Sequence, residues 1–335
     1  MAVTVSVIIP TYNWSEALRI SISSVLEQTY RDFELLVIGD CCTDNSGEVA
    51  TSFGDPRVKW HNLPIRGKSQ SGPNNLGNEL ATGSLVAYLG HDDVWHPEHL
   101  QSLVDKVQMT GAELACAVTI MYGPPGSGFR GLSGIFVEEC YRPEDFFPPS
   151  SMMHSRSLWS RIGPWQPPNQ IVDPVDCDFL KRAYNSGARI VSTDQLTAFK
   201  FNSACRRNSY LRRDTSEQKQ MLSHLRSNPA KCVADEWAGL VRAAREKRLI
   251  ETLMLYDSNV TLGHYHRANL RNRGLEDSEL FPLLEAKRFP VTDQASAMEW
   301  HAVESCDGWD SFRWSGPSPI SVLVLPVTVP RRFRL

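Results

Sequence analysis

Several features that would place this chain in a specialised class are missing from it. The sequence has no apolar run near the roughly 20 residues that a membrane-spanning helix needs. Its first residues lack the basic and apolar segments of a secretory signal peptide. A net charge of −3 gives no excess of basic residues, which argues against a nucleic-acid-binding surface. We therefore expect a cytoplasmic protein with no nucleic acid partner, for which peripheral membrane association stays open.

Cysteine spacing and sequence complexity exclude further classes. The eight cysteines are scattered, and the adjacent Cys41 and Cys42 lack the spacing of zinc ligands, so we expect reduced thiols. The sequence contains no repeat and no low-complexity tract. With 335 residues, of which 41% are hydrophobic and 22% are charged, the chain has the composition of an ordinary globular protein.

Strand and helix patterns alternate along the first part of the chain. Apolar, β-branched runs predict strands over residues 3–9, 33–38, 58–60, 85–89 and 115–122. Helical spacing of apolar residues predicts helices over 15–28, 72–81 and 97–110, with a short helix after Asp44. This alternation is typical of right-handed βαβ units, so we predict an α/β fold with a mostly parallel sheet flanked by helices.

The pattern changes after residue 123. Glycine, proline and serine cluster up to residue 134, which predicts a loop or a hairpin connection. The later predicted strands cover 148–154, 190–191, 198–201 and 320–329, and the later helices cover 158–162, 175–186, 217–225 and 234–255. We therefore predict one domain over residues 1–215 and a mainly helical extension of unknown role over 216–335, which ends in a β segment.

The most informative stretch runs from Leu85 to Pro97. Its first five residues predict a buried strand, Gly90 ends that strand, and Asp92 and Asp93 follow at its carboxyl end. Ligands of open α/β sheets bind at that edge, and two adjacent carboxylates are most stable beside a cation. Because carboxylate oxygen atoms suit Mg²⁺ or Mn²⁺, and these ions often hold a diphosphate, the pair predicts a metal site. A solvated turn that caps the next helix is the alternative.

Five blocks in roughly the first 100 residues, taken together, resemble the family 2 glycosyltransferases, which have the GT-A nucleotide-sugar-binding fold. The blocks are residues 5–13, residues 24–35, Asp40 with Thr43 and Asp44, Asn75-x-Gly77 with Ala81 and Gly83, and Asp92-Asp93 with Trp95 and Pro97. Weaker matches extend the resemblance to about residue 205. It implies an inverting enzyme of polysaccharide biosynthesis that moves a sugar from a nucleotide-diphosphate donor, with a UDP-sugar favoured, to the hydroxyl group of a glycan or another acceptor.

The resemblance also implies roles for residues at the strand ends. Residues Pro10, Thr11, Tyr12 and Asn13 would line the nucleoside pocket. Asp40 would accept a hydrogen bond from the base, for which the imide N–H of uracil is suited, although a turn that caps a helix is the alternative. Of Asp92 and Asp93, one would bind Mn²⁺ or Mg²⁺ and the other the ribose, and the sequence leaves open which does which.

Departures from the family pattern affect the metal and the phosphates. The family often has an acid where this chain has Gly39 and another where it has Gly90, which weakens the case for a metal. Asn74 stands where arginine is common, so Lys68 or Arg66 would contact the phosphates instead, with a solvated loop charge as the alternative. The resemblance adds two further donor-site residues, which are Asn75 and Arg206. Arg206 belongs to a basic stretch that is either a lid over the diphosphate or a surface patch.

Inverting transfer also needs a base. The acceptor hydroxyl must lose its proton as it attacks the anomeric carbon, and a carboxylate within hydrogen-bond reach can take it. Asp176 matches the family's base at the start of a helix, with Asp173 and Asp178 as rivals and a first-turn helix charge as the alternative.

Two other functions stay open from the sequence. A sugar nucleotidyltransferase would favour a glycine-rich phosphate loop after the first strand, and residues 10–13 do not form one. A nucleotide- or glycan-binding module without turnover would be consistent with Gly39 and Gly90.

Overall fold

The computed structural model describes residues 4–137, 141–250 and 261–275, together with four short strands between residues 296 and 324. By its internal contacts the chain divides into two units, Met1–Leu275 and Glu276–Leu335. The boundary expected at residue 215 falls inside the first unit, and the division into a domain and an extension stays a prediction. None of the helices in the described ranges combines the length and the apolar character needed to cross a bilayer.

A ten-stranded mixed sheet with helices packed against it forms the described part of the first unit. Its strands are β1 Val5–Thr11, β2 Phe33–Gly39, β3 Val58–Asn62, β4 Leu85–Tyr88, β5 Val94–Trp95, β6 Leu114–Tyr122, β7 Arg130–Ser133, β8 Met152–Ser155, β9 Ile190–Lys200 and β10 Leu249–Ile250. Its helices are α1 Ser15–Leu26, α2 Ser46–Thr51, α3 Ser71–Leu80, α4 His99–Thr110, α5 Arg156–Ile162, α6 Val175–Asn185, α7 Ser209–Arg212, α8 Ser216–Ser227, α9 Pro229–Arg245 and α10 His264–Arg273.

The strand directions bring several carboxyl ends to one edge of the sheet. Strands β3, β2, β1 and β4 lie side by side and parallel, so the predicted parallel arrangement is confirmed for these four strands. Strand β8 is antiparallel to both β4 and β6, and β9 is parallel to β6. Strands β4, β6 and β9 therefore run in the same direction, and β9 ends at the same edge as β1, β2 and β4.

The core covers both faces of the sheet because side chains alternate along each strand. In β1, Val7 and Ile9 belong to one buried cluster while Ile8 belongs to another. Residues of α1 and α4 pack in the first cluster, and residues of α6 pack in the second. A third cluster joins β6 and β9 to α8. Helix α8, which begins at Ser216, is thus packed on the same sheet.

Some predicted elements differ from the structure. The short strands expected at 190–191 and 198–201 are parts of the single strand β9, and the two-residue strand β5 is not evident from the sequence. The helix expected over 234–255 begins at Pro229 and ends at Arg245, and residues 251–260 lie outside the described part.

The described part of the second unit consists of strands. They are β11 Ser296–Met298, β12 Glu304–Cys306, β13 Trp309–Phe312 and β14 Val322–Val324. The extended run expected at 320–329 is described only over β14, which pairs antiparallel with β11.

Candidate active site

The predicted site residues follow the strands that end at one edge of the sheet. Asp40 directly follows β2, the pair Asp92 and Asp93 follows β4, and Lys200 ends β9. Because these strands are parallel, their carboxyl ends present loops on the same side, where ligands of such sheets bind.

Asp93 is fully buried and accepts three hydrogen bonds. Lys200 Nζ lies 3.1 Å from Asp93 Oδ2, and the Ser150 hydroxyl donates to the same oxygen atom at 2.5 Å. The backbone N–H of Phe201 donates to Asp93 Oδ1 at 2.9 Å. Burial raises the pKa of Asp93, but three donors that converge on a carboxylate favour its ionised form. We therefore interpret Asp93 and Lys200 as an ion pair in which both carboxylate oxygen atoms are occupied.

Lys200 pairs with Asp93, and the charges of two further acids that the sequence analysis selected influence its pKa. Burial by itself would lower the pKa of its ammonium group, but the negative charges of Asp93, Asp92 and Asp176 raise it. The charge of Lys200 likewise opposes the rise that burial causes in the pKa of Asp176. One ammonium group therefore has its pKa raised by the predicted acid pair and by the predicted base, although these acids lie in distant parts of the sequence.

Asp92 differs from Asp93 because its carboxylate is open. Among the described residues, no donor bonds to this carboxylate and no basic side chain pairs with it directly. The missing acid at position 90 has a steric reason, since a Cβ atom on Gly90 would lie only 2.7 Å from Asp93 Oδ2 and 3.2 Å from Asp92 Oδ1. Ser150 and Lys200 hold the Asp93 carboxylate in place, so that space is not available to a side chain.

The three candidate bases near the start of α6 have different partners. Asp173 forms an ion pair with Lys181 at 2.7 Å, and Asp178 forms one with Arg182 at 2.8 Å. Asp176 has no ion-pair partner in the described part of the chain; its Oδ1 accepts the backbone N–H of Cys177 at 3.1 Å, and the thiol of Cys177 also bonds to the carboxylate. Burial raises the pKa of Asp176 above its ordinary value of 3.8. Of the three, Asp176 is the carboxylate that is free to accept a proton.

Asp40 is buried at the end of β2 and contacts the loop of residues 66–69. Its Oδ1 accepts the backbone N–H of Gly67 at 2.7 Å. Burial raises the pKa of Asp40, while the backbone N–H groups of this loop and the charge of Arg66 limit the rise. The role of Asp40 as an acceptor for the base stays a prediction.

Aromatic side chains cluster at the end of β1. The guanidinium carbon of Arg66 lies 3.8 Å from the centre of the Tyr12 ring, and Arg66 Nε and Nη2 are buried without a partner in the described residues. His91 Nδ1 accepts the backbone N–H of Tyr12 at 3.3 Å, and His91 Nε2 lies 3.0 Å from the Tyr210 hydroxyl. Burial lowers the pKa of His91, so the ring is neutral and carries its hydrogen on Nε2. Trp14 packs edge-on against Tyr210 at 5.2 Å.

The other residues of the predicted nucleoside pocket are also at this edge. Pro10 lies opposite Ile38 in the parallel register of β1 and β2. Thr11 is buried, and its hydroxyl lies 2.9 Å from His91 Nδ1. Asn13 Oδ1 accepts the backbone N–H of Thr43 at 2.7 Å, which joins the loops after β1 and β2.

The predicted phosphate contacts lie in different settings. Lys68 is exposed in the loop that holds Asp40. Asn75 uses both ends of its amide on the backbone of Trp165, at 3.0 and 2.8 Å, so it links α3 to the segment before α6. Arg206 is buried and pairs with Glu217 at 2.5 Å. Their roles in donor binding stay predictions.

Sequence reasoning missed Lys200 and His91. Lys200 has a weak signal, because it is a charged residue between Phe199 and Phe201 at the end of an otherwise apolar run. His91 lies beside the acid pair, but nothing in the sequence indicates that Tyr210 is its partner. Both depend on tertiary contacts.

The predicted metal site does not fit these residues. Within the described ranges, no three side chains of His, Cys, Asp or Glu are grouped as ligands for an ion. Asp93 is occupied by Lys200, Ser150 and Phe201, and only Asp92 offers an open carboxylate. Two carboxylates shared by one divalent ion are therefore not available in this arrangement.

Comparisons with known proteins agree on a family. Residues 6–160 match the model described as glycosyl transferase family 2. An uncharacterized glycosyltransferase of Nostoc sp. is 40% identical over 105 residues, which are 31% of this chain and 33% of that protein. The UDP-Glc:alpha-D-GlcNAc-diphosphoundecaprenol beta-1,3-glucosyltransferase WfgD of Escherichia coli is 34% identical over 119 residues, 36% of this chain and 44% of that protein. The chain thus matches less than half the length of these relatives.

A solved structure resembles the chain in part. The S. aureus TarS 1–349 structure, in complex with UDP-GlcNAc, is 20% identical and has a TM-score of 0.49. The alignment covers 59% of this chain and 58% of that chain.

Proposed function

Residues 6–160 form a family 2 glycosyltransferase domain, and from this premise we propose that the protein is an inverting glycosyltransferase. It moves a sugar from a nucleotide-diphosphate donor to the hydroxyl group of an acceptor, which is a glycan or another hydroxyl-bearing molecule. The observation that carries this proposal is that Asp176 is the one of three candidate acids without an ion-pair partner in the described residues, and that its charge, like those of Asp92 and Asp93, raises the pKa of Lys200.

The nucleoside end of the donor binds between the loops after β1 and β2. Tyr12 offers a ring face, Asp40 offers an acceptor, and Arg66 offers two buried donors that have no partner in the described protein. Unpaired buried donors are costly, so a bound nucleotide that accepts their hydrogen bonds would gain affinity. The name of the E. coli relative supports UDP as the nucleotide.

The chemical step is a single displacement at the anomeric carbon. Asp176 accepts the proton of the acceptor hydroxyl as the oxygen attacks, and the bond from the anomeric carbon to the phosphate oxygen breaks on the opposite face. The nucleotide diphosphate leaves with the electron pair of that bond. Because burial raises the pKa of Asp176, its carboxylate is a stronger base than that of an exposed aspartate.

Nucleotide binding tests the donor half of this proposal. We expect UDP to bind more tightly than GDP or ADP in calorimetry, and Arg66→Gln to weaken UDP by about tenfold, which corresponds to the loss of one or two hydrogen bonds. Arg31→Gln is the control, because Arg31 is exposed and donates only to a backbone carbonyl, that of Leu26. Failure of the protein to bind any nucleotide diphosphate or nucleotide sugar would contradict the proposal.

A further inference from the structure

Both oxygen atoms of Asp93 are already bonded by protein donors. Lys200 and Ser150 bond to one of them, and the backbone of Phe201 bonds to the other. A divalent ion that bound Asp93 would have to displace the ammonium group, and the strong repulsion between two adjacent cations makes joint occupancy costly.

The surroundings offer little to replace these ligands. A third acid at position 90 is excluded by the contact that its Cβ atom would make with Asp93. Asp92 is the one open carboxylate of the pair, and a lone carboxylate leaves a divalent ion dependent on water and phosphate. Lys200, by contrast, is covalently part of the site and brings its charge into it permanently.

The position of Lys200 is fixed by the sheet. It lies at the end of β9, where Phe199 pairs with Val94 of β5, the residue that follows Asp93. Its side chain is 21% exposed, while that of Asp93 is 0% exposed, so the lysine side chain, unlike the acid, keeps contact with solvent. A compact ammonium charge at such a place can attract phosphate oxygen atoms as a metal ion would.

Other basic groups lie near the same edge. The charges of Arg273 and Arg66 oppose the rise that burial causes in the pKa of Tyr210. The charges of Arg273 and Lys200 add to the fall that burial causes in the pKa of His91. Arg273 is held by a hydrogen bond from its Nε to the Ser203 hydroxyl at 3.1 Å. Several positive charges therefore lie near this edge of the sheet, where the proposed function places the diphosphate.

We propose that the ammonium group of Lys200 takes the place of a divalent metal at the acid pair, so that the protein binds its nucleotide diphosphate without Mn²⁺ or Mg²⁺. This inference rests on the proposed function for the identity of the ligand. Its structural part, which is that Lys200 keeps a metal off Asp93, can be tested without any nucleotide.

The first measurement titrates Mn²⁺ alone into the full chain and follows free Mn²⁺ by electron paramagnetic resonance. Wild-type protein should bind Mn²⁺ weakly, and Lys200→Met and Lys200→Gln should bind it at least about tenfold more tightly, because the acid pair loses its resident cation. Lys219→Met, which removes an exposed lysine paired with Glu16, is the matched control and should behave like wild type. The double variant Lys200→Met with Asp93→Asn should lose the gain.

The second measurement compares UDP affinity in EDTA and in Mn²⁺ by calorimetry. Wild-type protein and Lys200→Arg should show less than about a threefold difference, well under the tenfold change that 1.4 kcal/mol produces. Lys200→Gln should bind UDP weakly in EDTA and recover in Mn²⁺, a rescue that a merely structural lysine would not give. Wild-type affinity that rises tenfold or more with Mn²⁺ would overturn the inference, even if the Lys200 variants fail to fold.

The two proposals fail in different ways. Absence of nucleotide binding in both buffers would contradict the proposed function. The Mn²⁺ titration without nucleotide would still test whether Lys200 keeps a metal off Asp93. Folded Lys200 variants that gain no affinity for Mn²⁺ would show that this residue does not occupy the place of a metal.

Discussion

The Tyr210 hydroxyl lies 3.0 Å from His91 Nε2, and this bond ties the short helix α7 to the edge of the sheet. Nδ1 of the same ring accepts the backbone N–H of Tyr12, so one histidine holds the end of β1 and α7 together. Because β1 and the loop after it form the proposed nucleoside pocket, His91 positions that pocket without being expected to touch the sugar.

Removal of the Tyr210 hydroxyl tests this link. Tyr210→Phe leaves the buried Nε2–H of His91 without its acceptor, which should lower the free energy of unfolding by about 1–3 kcal/mol. Urea denaturation followed by fluorescence measures the loss. Tyr184→Phe is the control, since Tyr184 is 42% exposed and should change stability little. Equal free energies of unfolding for wild type and Tyr210→Phe would show that this bond does not stabilise the fold.

We propose that Asp40 recognises the nucleobase of the donor. Asp40→Asn keeps an oxygen atom for the N–H of Gly67 but puts an N–H donor where the imide of uracil would need an acceptor. UDP affinity should fall by about tenfold or more, as expected for a hydrogen bond to a charged group, while ADP affinity stays nearly constant. Calorimetry with both nucleotides checks this, and Asp32→Asn, at an exposed position, is the control. A parallel loss for UDP and ADP would instead assign Asp40 to the packing of the loop.

The glycine at position 90 should be required by packing. Gly90→Ala places a Cβ atom 2.7 Å from Asp93 Oδ2, so we expect a loss of about 1–3 kcal/mol in unfolding free energy. Gly239→Ala is the matched control, because Gly239 lies within α9 and a Cβ atom there would meet no described atom within 4 Å beyond its own stretch of helix. Alanine at position 239 should stabilise the helix by about 0.5–1 kcal/mol. A neutral Gly90→Ala would mean that Asp93 is free to move, which would also weaken the argument on Lys200.

Buried neutral histidines predict a loss of stability in mild acid. Burial lowers the pKa of His99 to about 3 and that of His154 to about 4, from an ordinary value of 6.5. Between pH 6.5 and pH 4 the unfolded chain binds protons that the folded chain does not, so the free energy of unfolding falls as the pH falls. Each histidine should contribute about 1.4 kcal/mol per pH unit within that window.

Urea denaturation at pH 7 and at pH 5 measures this dependence. His154→Gln should reduce the slope by removing one of these buried histidines. A free energy of unfolding that is constant over this range would contradict the neutral, buried state of these rings.

Much of the fold could be predicted from the sequence. The family resemblance is confirmed by the match over residues 6–160, and the alternation of strands and helices up to residue 122 is present in the structure. Local patterns are sufficient there because the sequence of each buried strand is a short apolar run and each helix has a regular apolar face.

The missing elements depend on long-range pairing. Strand β9 was predicted as two pieces because polar residues, among them Asp194 with a positive φ of 59°, interrupt its apolar pattern. The strand nevertheless continues, since its register against β6 shifts through a bulge-like irregularity near Val118. Only this continuity brings Lys200 to Asp93. The sequence therefore indicates the acids of the candidate site but not the lysine that pairs with one of them.

The role of Asp176 is the central chemical claim, and turnover tests it most directly. The measurement is the release of UDP from UDP-sugars, with water as the fallback acceptor, for wild type and Asp176→Asn. The rate should fall by about 10²–10⁴-fold, the usual contribution of a general base, while UDP affinity measured by calorimetry stays nearly unchanged. Asp173→Asn and Asp178→Asn, whose carboxylates are paired with Lys181 and Arg182, should retain most of the rate. Turnover by Asp176→Asn at the wild-type rate would contradict the account.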